Sequence, residues 1–267
     1  MIHNIPFEQT TVRFEELGKG YPVVLLHGFM ESLDAWGEFA EDLSKHFRVI
    51  NIDLLGHGKT GNIDTIHTME MMALAVKSVL DHLRIDKAFF IGHSMGGYVA
   101  LQFLKDYPQN ISGLVILHST PLPDSDERKE QREKLIGIIK QGGKIKLAKE
   151  HVHKTFAPKN IDKYVQKIGF LKIIALNTTN EGIIAALEGM KIRPDYREVL
   201  KNAKIPVLYI QGEHDNFIPP ETMEKFELPQ RSSVLILKNS GHQGYIEEKD
   251  KVLEAVVKFI NSNVAEK

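Results

Sequence analysis

The segment Gly92-His-Ser-Met-Gly96 stands between an apolar run, Lys87-Ala-Phe-Phe-Ile91, and a helical pattern from Met95 to Tyr107. A chain that leaves a strand and enters a helix at once must turn sharply. Such a turn forces Ser94 into a left-handed backbone conformation, where a side chain on either flank would strike neighbouring backbone. Gly92 and Gly96 carry no side chain to collide. The turn leaves the Ser94 hydroxyl exposed and sets the Met95 N–H at a helix N-terminus, where negative charge is stabilised.

The rest of the chain supplies the framework this turn needs. Pro22-Val-Val-Leu-Leu-His27, Phe47-Arg-Val-Ile-Asn-Ile-Asp53, Lys87–Ile91 and Ile111-Ser-Gly-Leu-Val-Ile-Leu117 read as strands. They are mostly continuous apolar runs, the pattern of strands covered on both faces. Helical patterns span Ser32 to Lys45, Ile66 to Leu83 and Met95 to Tyr107. The alternation predicts an α/β fold with a mostly parallel sheet flanked by helices. Two strands return late, Pro206-Val-Leu-Tyr-Ile210 and Ser233-Val-Leu-Ile-Leu237, before a last helix from about Glu247 to Asn261. Thr11 to Leu17, with Gly18-Lys-Gly20, reads as an antiparallel edge hairpin.

The rhythm breaks between Pro121 and Pro194. This stretch has helical segments around 126–140, 143–155 and 160–176 and no convincing strand, and it holds 15 Lys plus Arg against 9 Asp plus Glu. An all-helical insertion in an alternating domain reads as a lid. The expected organisation is a core of residues 1–120 and 195–267 with a helical cap over 121–194.

Composition narrows the chemistry. The chain of 267 residues has no cysteine, which removes thiolate nucleophiles, disulfides, zinc-thiolate sites and iron–sulfur clusters. A formal net charge of −1 argues against general nucleic-acid binding. No basic-then-apolar leader opens the sequence, and no apolar run approaches the roughly 18 residues of a membrane span. The expectation is a soluble, cytoplasmic protein.

A serine hydroxyl becomes a nucleophile when a base takes its proton and a third group holds that base. The late strands supply both. Gln211-Gly-Glu-His-Asp215 follows one, and Asn239-Ser-Gly-His242 follows the next. Strand C-termini are where parallel sheets gather their sites. His242 is assigned as the base and Asp215 as its orienting acid, with Glu213 and His214 as near rivals. Acyl transfer also needs donors for an oxyanion. Met95 offers one backbone N–H, and Phe29, after His27-Gly28, offers the other.

Taken together, His27-Gly-Phe29, Asp53-Leu-Leu-Gly-His-Gly58, Gly92-His-Ser-Met-Gly-Gly97, Gly212-Glu-His-Asp215 and Ser240-Gly-His242 resemble the α/β-hydrolase superfamily, in its lid-bearing branch of serine esterases and related hydrolases. The motifs run in order over nearly the whole chain, and the sequence Ser, acid, His is that fold's order. The resemblance implies a cap inserted after the sixth strand, and hydrolysis of a small-molecule ester through an acyl-enzyme, without cofactor or metal. Its short His-Gly-x oxyanion loop differs from the His-Gly-Gly-Gly form. Serine at position 94, where other branches carry Asp, disfavours dehalogenase and epoxide-hydrolase chemistry. Carbon–carbon bond hydrolases, lactonases and cofactor-free perhydrolases share the triad and stand as alternatives, with a small-ligand receptor further off.

Other features have plainer readings. Gly56-His-Gly-Lys-Thr60 ends like a P-loop, but Asp53 stands where that motif needs glycine. His151-Val-His153 lacks the i,i+4 spacing of a helical zinc pair and reads as solvated lid surface. His93 and His118 lie near the site as substrate contacts or satisfied buried histidines. Phe29, Met30 and Trp36 are candidates for pocket lining or for core. Leu135, Ile138, Ile139, Ile161, Val165 and Ile168 repeat at helical spacing and are expected to face the core or pocket. The lid's basic residues suit the outer faces of amphipathic helices better than recognition of an anion.

Overall fold

Strands that are apolar at every position need cover on both faces, and the computed structural model, which describes residues 1–264, supplies it. Eight strands form one sheet: β1 (Ile2–Phe7), β2 (Thr10–Leu17), β3 (Pro22–Leu26), β4 (Arg48–Ile52), β5 (Ala88–His93), β6 (Ile111–Leu117), β7 (Val207–Gly212) and β8 (Ser232–Leu237). Their order is β1-β2-β4-β3-β5-β6-β7-β8. β1, β2 and β4 pair antiparallel, and every pair from β4 to β8 is parallel. Successive side chains point to opposite faces, so each strand divides its apolar residues between two cores. Val24, Leu26, Phe90, Leu114 and Ile116 face one side, against α2 (Met69–His82) and α3 (Met95–Asp106). Val23, Leu25, Phe89, Ile91 and Val115 face the other, against α1 (Gly37–Ser44) and α9 (Lys249–Val264). Each such side chain, fully buried, contributes about 1.5–3 kcal/mol.

The hairpin expected to fold back through Gly18–Gly20 instead joins β1 to β2, with Pro6 opposite Thr11 and Glu8 in the turn at φ 49°. β2 therefore lies inside the sheet and β1 is the edge. Its Pro6 hid β1 as a strand, and an edge is where a sheet tolerates proline.

Between β6 and β7 the chain builds the helical cap: α4 (Asp126–Lys140), α5 (Lys144–Thr155), α6 (Val165–Asn177) and α7 (Asn180–Lys191), followed by the short α8 (Arg197–Lys201). Ser125 and Thr179 cap α4 and α7, accepting from the N–H of Arg128 and Gly182. The sequence shows three cap segments, and α7 is a fourth. Its Gly182 and Gly189 let it lie directly on the loop after β4, where a Cβ would come within 2.1 Å of Gly56 O and 1.8 Å of His67 O. Asp124 ties the two ends of the cap together: it accepts from Arg132 of α4 and, at 2.5 Å, from Arg193 beyond α7. Ile139 and Ile168 are buried as expected, whereas Ile138 and Val165 point to solvent, because helix faces rotate 100° per residue and these two fall off the inner stripe. Among the described residues no helix is long and apolar enough to cross a membrane.

Candidate active site

The chain leaves β3 toward one side of the sheet and returns to β5 on the other, so the loops after β3 and β5 diverge and open a crevice at the strand C-termini. Ser94 stands there between β5 and α3, at φ 51° and ψ −115°. The flanking glycines are needed for space: a Cβ on Gly92 would lie 2.5 Å from Gly96 O, and one on Gly96 2.2 Å from Leu26 O. Ser94 N–H donates to Leu117 O, and Ser119 Oγ donates to Ser94 O at 2.7 Å. The turn is thus held by β6 as well as by its own helix.

His242, on the loop after β8, brings Nε2 to 2.8 Å from Ser94 Oγ, and its Nδ1 lies 2.8 Å from Asp215 Oδ2. A carboxylate accepts only, so the proton sits on Nδ1 and Nε2 is free to accept from the serine. Asp215, on the loop after β7, takes the Phe217 and Ile218 N–H groups on its other oxygen. Burial alone would raise its pKa. The adjacent His242 and His118, by charge and hydrogen bond, hold it well below the usual carboxylate range. Glu213 and His214 point to solvent and take no part.

Two further histidines are fixed by what surrounds them. His118 Nε2 accepts from Gly244 N–H, so its proton is on Nδ1, 3.1 Å from Asp215 Oδ2. Burial presses this imidazole down to about 4, and it stays neutral. His93 has acceptors at both nitrogens: the His242 carbonyl at 2.8 Å and Glu31 Oε2 at 3.1 Å. Both nitrogens must donate, which makes His93 an imidazolium. Burial opposes that charge, but Glu31 outweighs it and the pKa is raised. Glu31 in turn accepts from Gly28 N–H at 2.7 Å and Gln243 Nε2 at 2.8 Å. A buried ion pair therefore joins the loops after β3, β5 and β8. The sequence contains Glu31 but gives no periodic signal for it; its position three residues beyond Gly28 is the one clue.

The carboxyl of Asp53 is spent on the N–H groups of Leu33 and Lys59 and on Arg13, a structural hub in place of a phosphate loop. One group of ligand-type atoms among the described residues, on His118, Asp215 and His242, lies within 4.8 Å of one another. There Asp215 Oδ2 is bracketed by two ring N–H donors, an environment made for a carboxylate and not for a cation.

Above Ser94 lies a cavity of about 90 Å³, measured to water centres, with Phe29, Tyr98, Leu135, His151 and Phe217 among its walls. That is space for a handful of waters. His151 is a correction to the sequence reading: it lies inside the cavity, edge-on to Phe29 and Phe217, while His153 alone is solvated. Phe29 lines the cavity, whereas Met30 and Trp36 are core. The cap also reaches the site directly, since His242 N–H donates to Thr155 O at 2.6 Å.

The chain belongs to the alpha/beta hydrolase family: the model described as alpha/beta hydrolase fold matches residues 21–159, and one described as TAP-like protein matches 189–265. A thermophilic esterase from Thermogutta terrifontis, in a malate-bound structure, superposes with TM-score 0.92 and 30% identity over 98% of this chain and 99% of that one. The AB hydrolase superfamily protein YisY of Bacillus subtilis is 27% identical over 96% of this chain and 97% of its own length. A 2-hydroxy-6-oxo-6-(2'-aminophenyl)hexa-2,4-dienoic acid hydrolase from Metapseudomonas resinovorans is 26% identical over 93% and 87%.

Proposed function

We propose that the protein is a serine esterase for small or medium acyl esters, with Ser94, His242 and Asp215 as its triad and residues 121–194 as the cap over a core of 1–120 and 195–267. The observation that carries this reading is the unbroken chain of hydrogen bonds from Ser94 Oγ through His242 to Asp215 at the floor of the cavity. Ser94 Oγ attacks the ester carbonyl carbon as its proton passes to His242 Nε2. The oxyanion forms against the N–H groups of Phe29 and Met95. Met95 opens α3, and the neighbouring Gly28 N–H is already given to Glu31. Collapse breaks the carbon–oxygen bond to the alcohol, which leaves with the proton from His242. Water then attacks the acyl-serine, again giving its proton to His242, and the acid departs. Asp215 holds the tautomer and faces the imidazolium formed in each half.

The test is hydrolysis of 4-nitrophenyl esters of graded acyl length by wild type and Ser94→Ala. Multiple turnovers on short chains are expected, with a loss of about 10⁴-fold or more in the variant. Activity within tenfold of wild type would remove Ser94 from the mechanism. The dienoic-acid hydrolase among the relatives supports carbon–carbon bond hydrolysis as a second reading. Failure on every ester, with Ser94 still labelled by a fluorophosphonate, would move that reading ahead.

A further inference from the structure

At the cap side of the cavity over Ser94, positive charge outnumbers negative among the described residues. Three arginines, Arg128 and Arg132 of α4 and Arg193 beyond α7, gather at its cap side, and Arg128 and Arg132 line it. One carboxylate serves two of them. Asp124 accepts from Arg132 through Nε and, at 3.2 Å, through Nη2, and from Arg193 Nη1 at 2.5 Å. Arg193 also donates to the carbonyls of Leu122 and Met190, and its guanidinium lies 4.0 Å over the Tyr98 ring. Asp124 is therefore fully used by the two arginines that clamp the cap.

Arg128 has no such partner. Among the described residues its guanidinium makes one hydrogen bond, from Nη1 to Gln131 Oε1 at 3.1 Å, one turn along the same helix, and no ion pair. The acid that does line the cavity, Glu31, is taken by His93, Gln243 and Gly28 N–H. His151, which also lines the cavity, is pressed down to about 4 by burial, so it is neutral and adds no charge. Burial, and after it the neighbouring Arg132, push the Arg128 guanidinium below its usual value, and the charge of Asp124, shared with two other arginines, does not make up the difference. A guanidinium presents a planar fork of donors that fits a carboxylate in bidentate fashion, and it is left here with most of that fork unused. A surface arginine on a solvated helix face would point away from the cavity; this one lines it.

We infer that Arg128 anchors a carboxylate on the substrate, so that the esters this site prefers are anionic. The inference rests on the esterase reading for the bond that is cleaved, but the anion site stands on its own geometry. The carboxylate belongs to either the acyl or the alcohol portion, and two pairs of esters separate these. 4-Nitrophenyl hydrogen glutarate against 4-nitrophenyl valerate tests the acyl side, and 4-acetoxybenzoate against phenyl acetate tests the alcohol side.

In wild type, the anionic member of one pair should be favoured in kcat/KM after correction for intrinsic ester reactivity. Arg128→Gln should collapse that preference by about 10- to 100-fold, mostly through KM, as expected for a lost charge-assisted contact. Arg128→Lys should restore part of it, and added salt should erode it in wild type. A ratio unchanged within twofold between wild type and Arg128→Gln in both pairs overturns the inference, while turnover of the neutral esters would leave the esterase reading intact. Glutarate binding to Ser94→Ala, followed by calorimetry, reads the anion site without any chemistry. Binding that disappears in Ser94→Ala/Arg128→Gln supports the site even if no ester is cleaved. Equal binding in both, or none in either, overturns it.

Discussion

The floor and the roof of the cavity differ in how their polar groups are satisfied. On the floor, at the C-termini of β3, β5, β7 and β8, nearly every charge has a partner: His93 with Glu31, and Asp215 with His242, His118, Gln211 and two backbone N–H groups. On the roof, Arg128 has no ion-pair partner among the described residues, and α6 turns Val165, Phe170 and Ile173 to solvent. The difference teaches a division of labour. Bond cleavage needs dipoles fixed before the substrate arrives, whereas recognition needs groups still waiting for a partner.

Substitution of the acid tests that contrast with the largest effect. Asp215→Asn removes the acceptor that fixes the His242 tautomer, and kcat on a short-chain 4-nitrophenyl ester should fall by about 10²–10⁴-fold. A fall of less than threefold would mean that His242 is oriented from elsewhere.

Glu31→Gln comes next. It leaves His93 without its counter-charge and loosens the loop that carries Phe29. Breaking a buried pair from one side costs about 3–5 kcal/mol, so the melting temperature should drop by several degrees or more and kcat/KM by roughly tenfold. The pH dependence has a definite sign. Burial would raise the Glu31 pKa, but His93 and its hydrogen bonds depress it below the ordinary 4.5, so this stabilisation is present above that value and fades as pH falls below it. The His93 pKa is raised above 6.5 by Glu31 against the opposing effect of burial, so its share is full below 6.5 and is lost as pH rises through the folded value. The gap in melting temperature between wild type and variant should be widest between these limits, and a gap independent of pH would refute the ion pair.

The roof should respond least. Ile173 is 58% exposed, and Ile173→Ser should change stability by less than about 0.5 kcal/mol in a denaturant titration. A larger loss would show that α6 packs against something in solution.

The sequence reveals the floor far better than the roof, for physical reasons. An apolar run marks β6 at its true ends, because a strand covered on both faces is apolar over most of its length. Ser94, Asp215 and His242 are visible since each sits where such a run stops. Glu31 is not, and for His118 the place near the site is legible but its partners are not: the neighbours of both are assembled from loops far apart in the chain, and no local pattern records that. α7 escapes detection because glycines chosen for close approach to Gly56 and His67 weaken its helical signature. The basic cap residues illustrate the same limit. Most are solvated, and only three-dimensional contacts separate Arg128 from them by showing which arginines already share Asp124.

The bond from His242 N–H to the Thr155 carbonyl bears on how such proteins are rebuilt. A lid is commonly pictured as an interchangeable module, to be replaced wholesale when a new substrate is wanted. Here the last residue of α5 holds the backbone of the histidine to which the proposed mechanism gives proton transfer, while His93 holds the same residue's carbonyl from below. A graft that exchanges the lid but supplies no acceptor at position 155 would carry its fault into the proton-transfer step, and the loss would look like poor chemistry rather than poor fit.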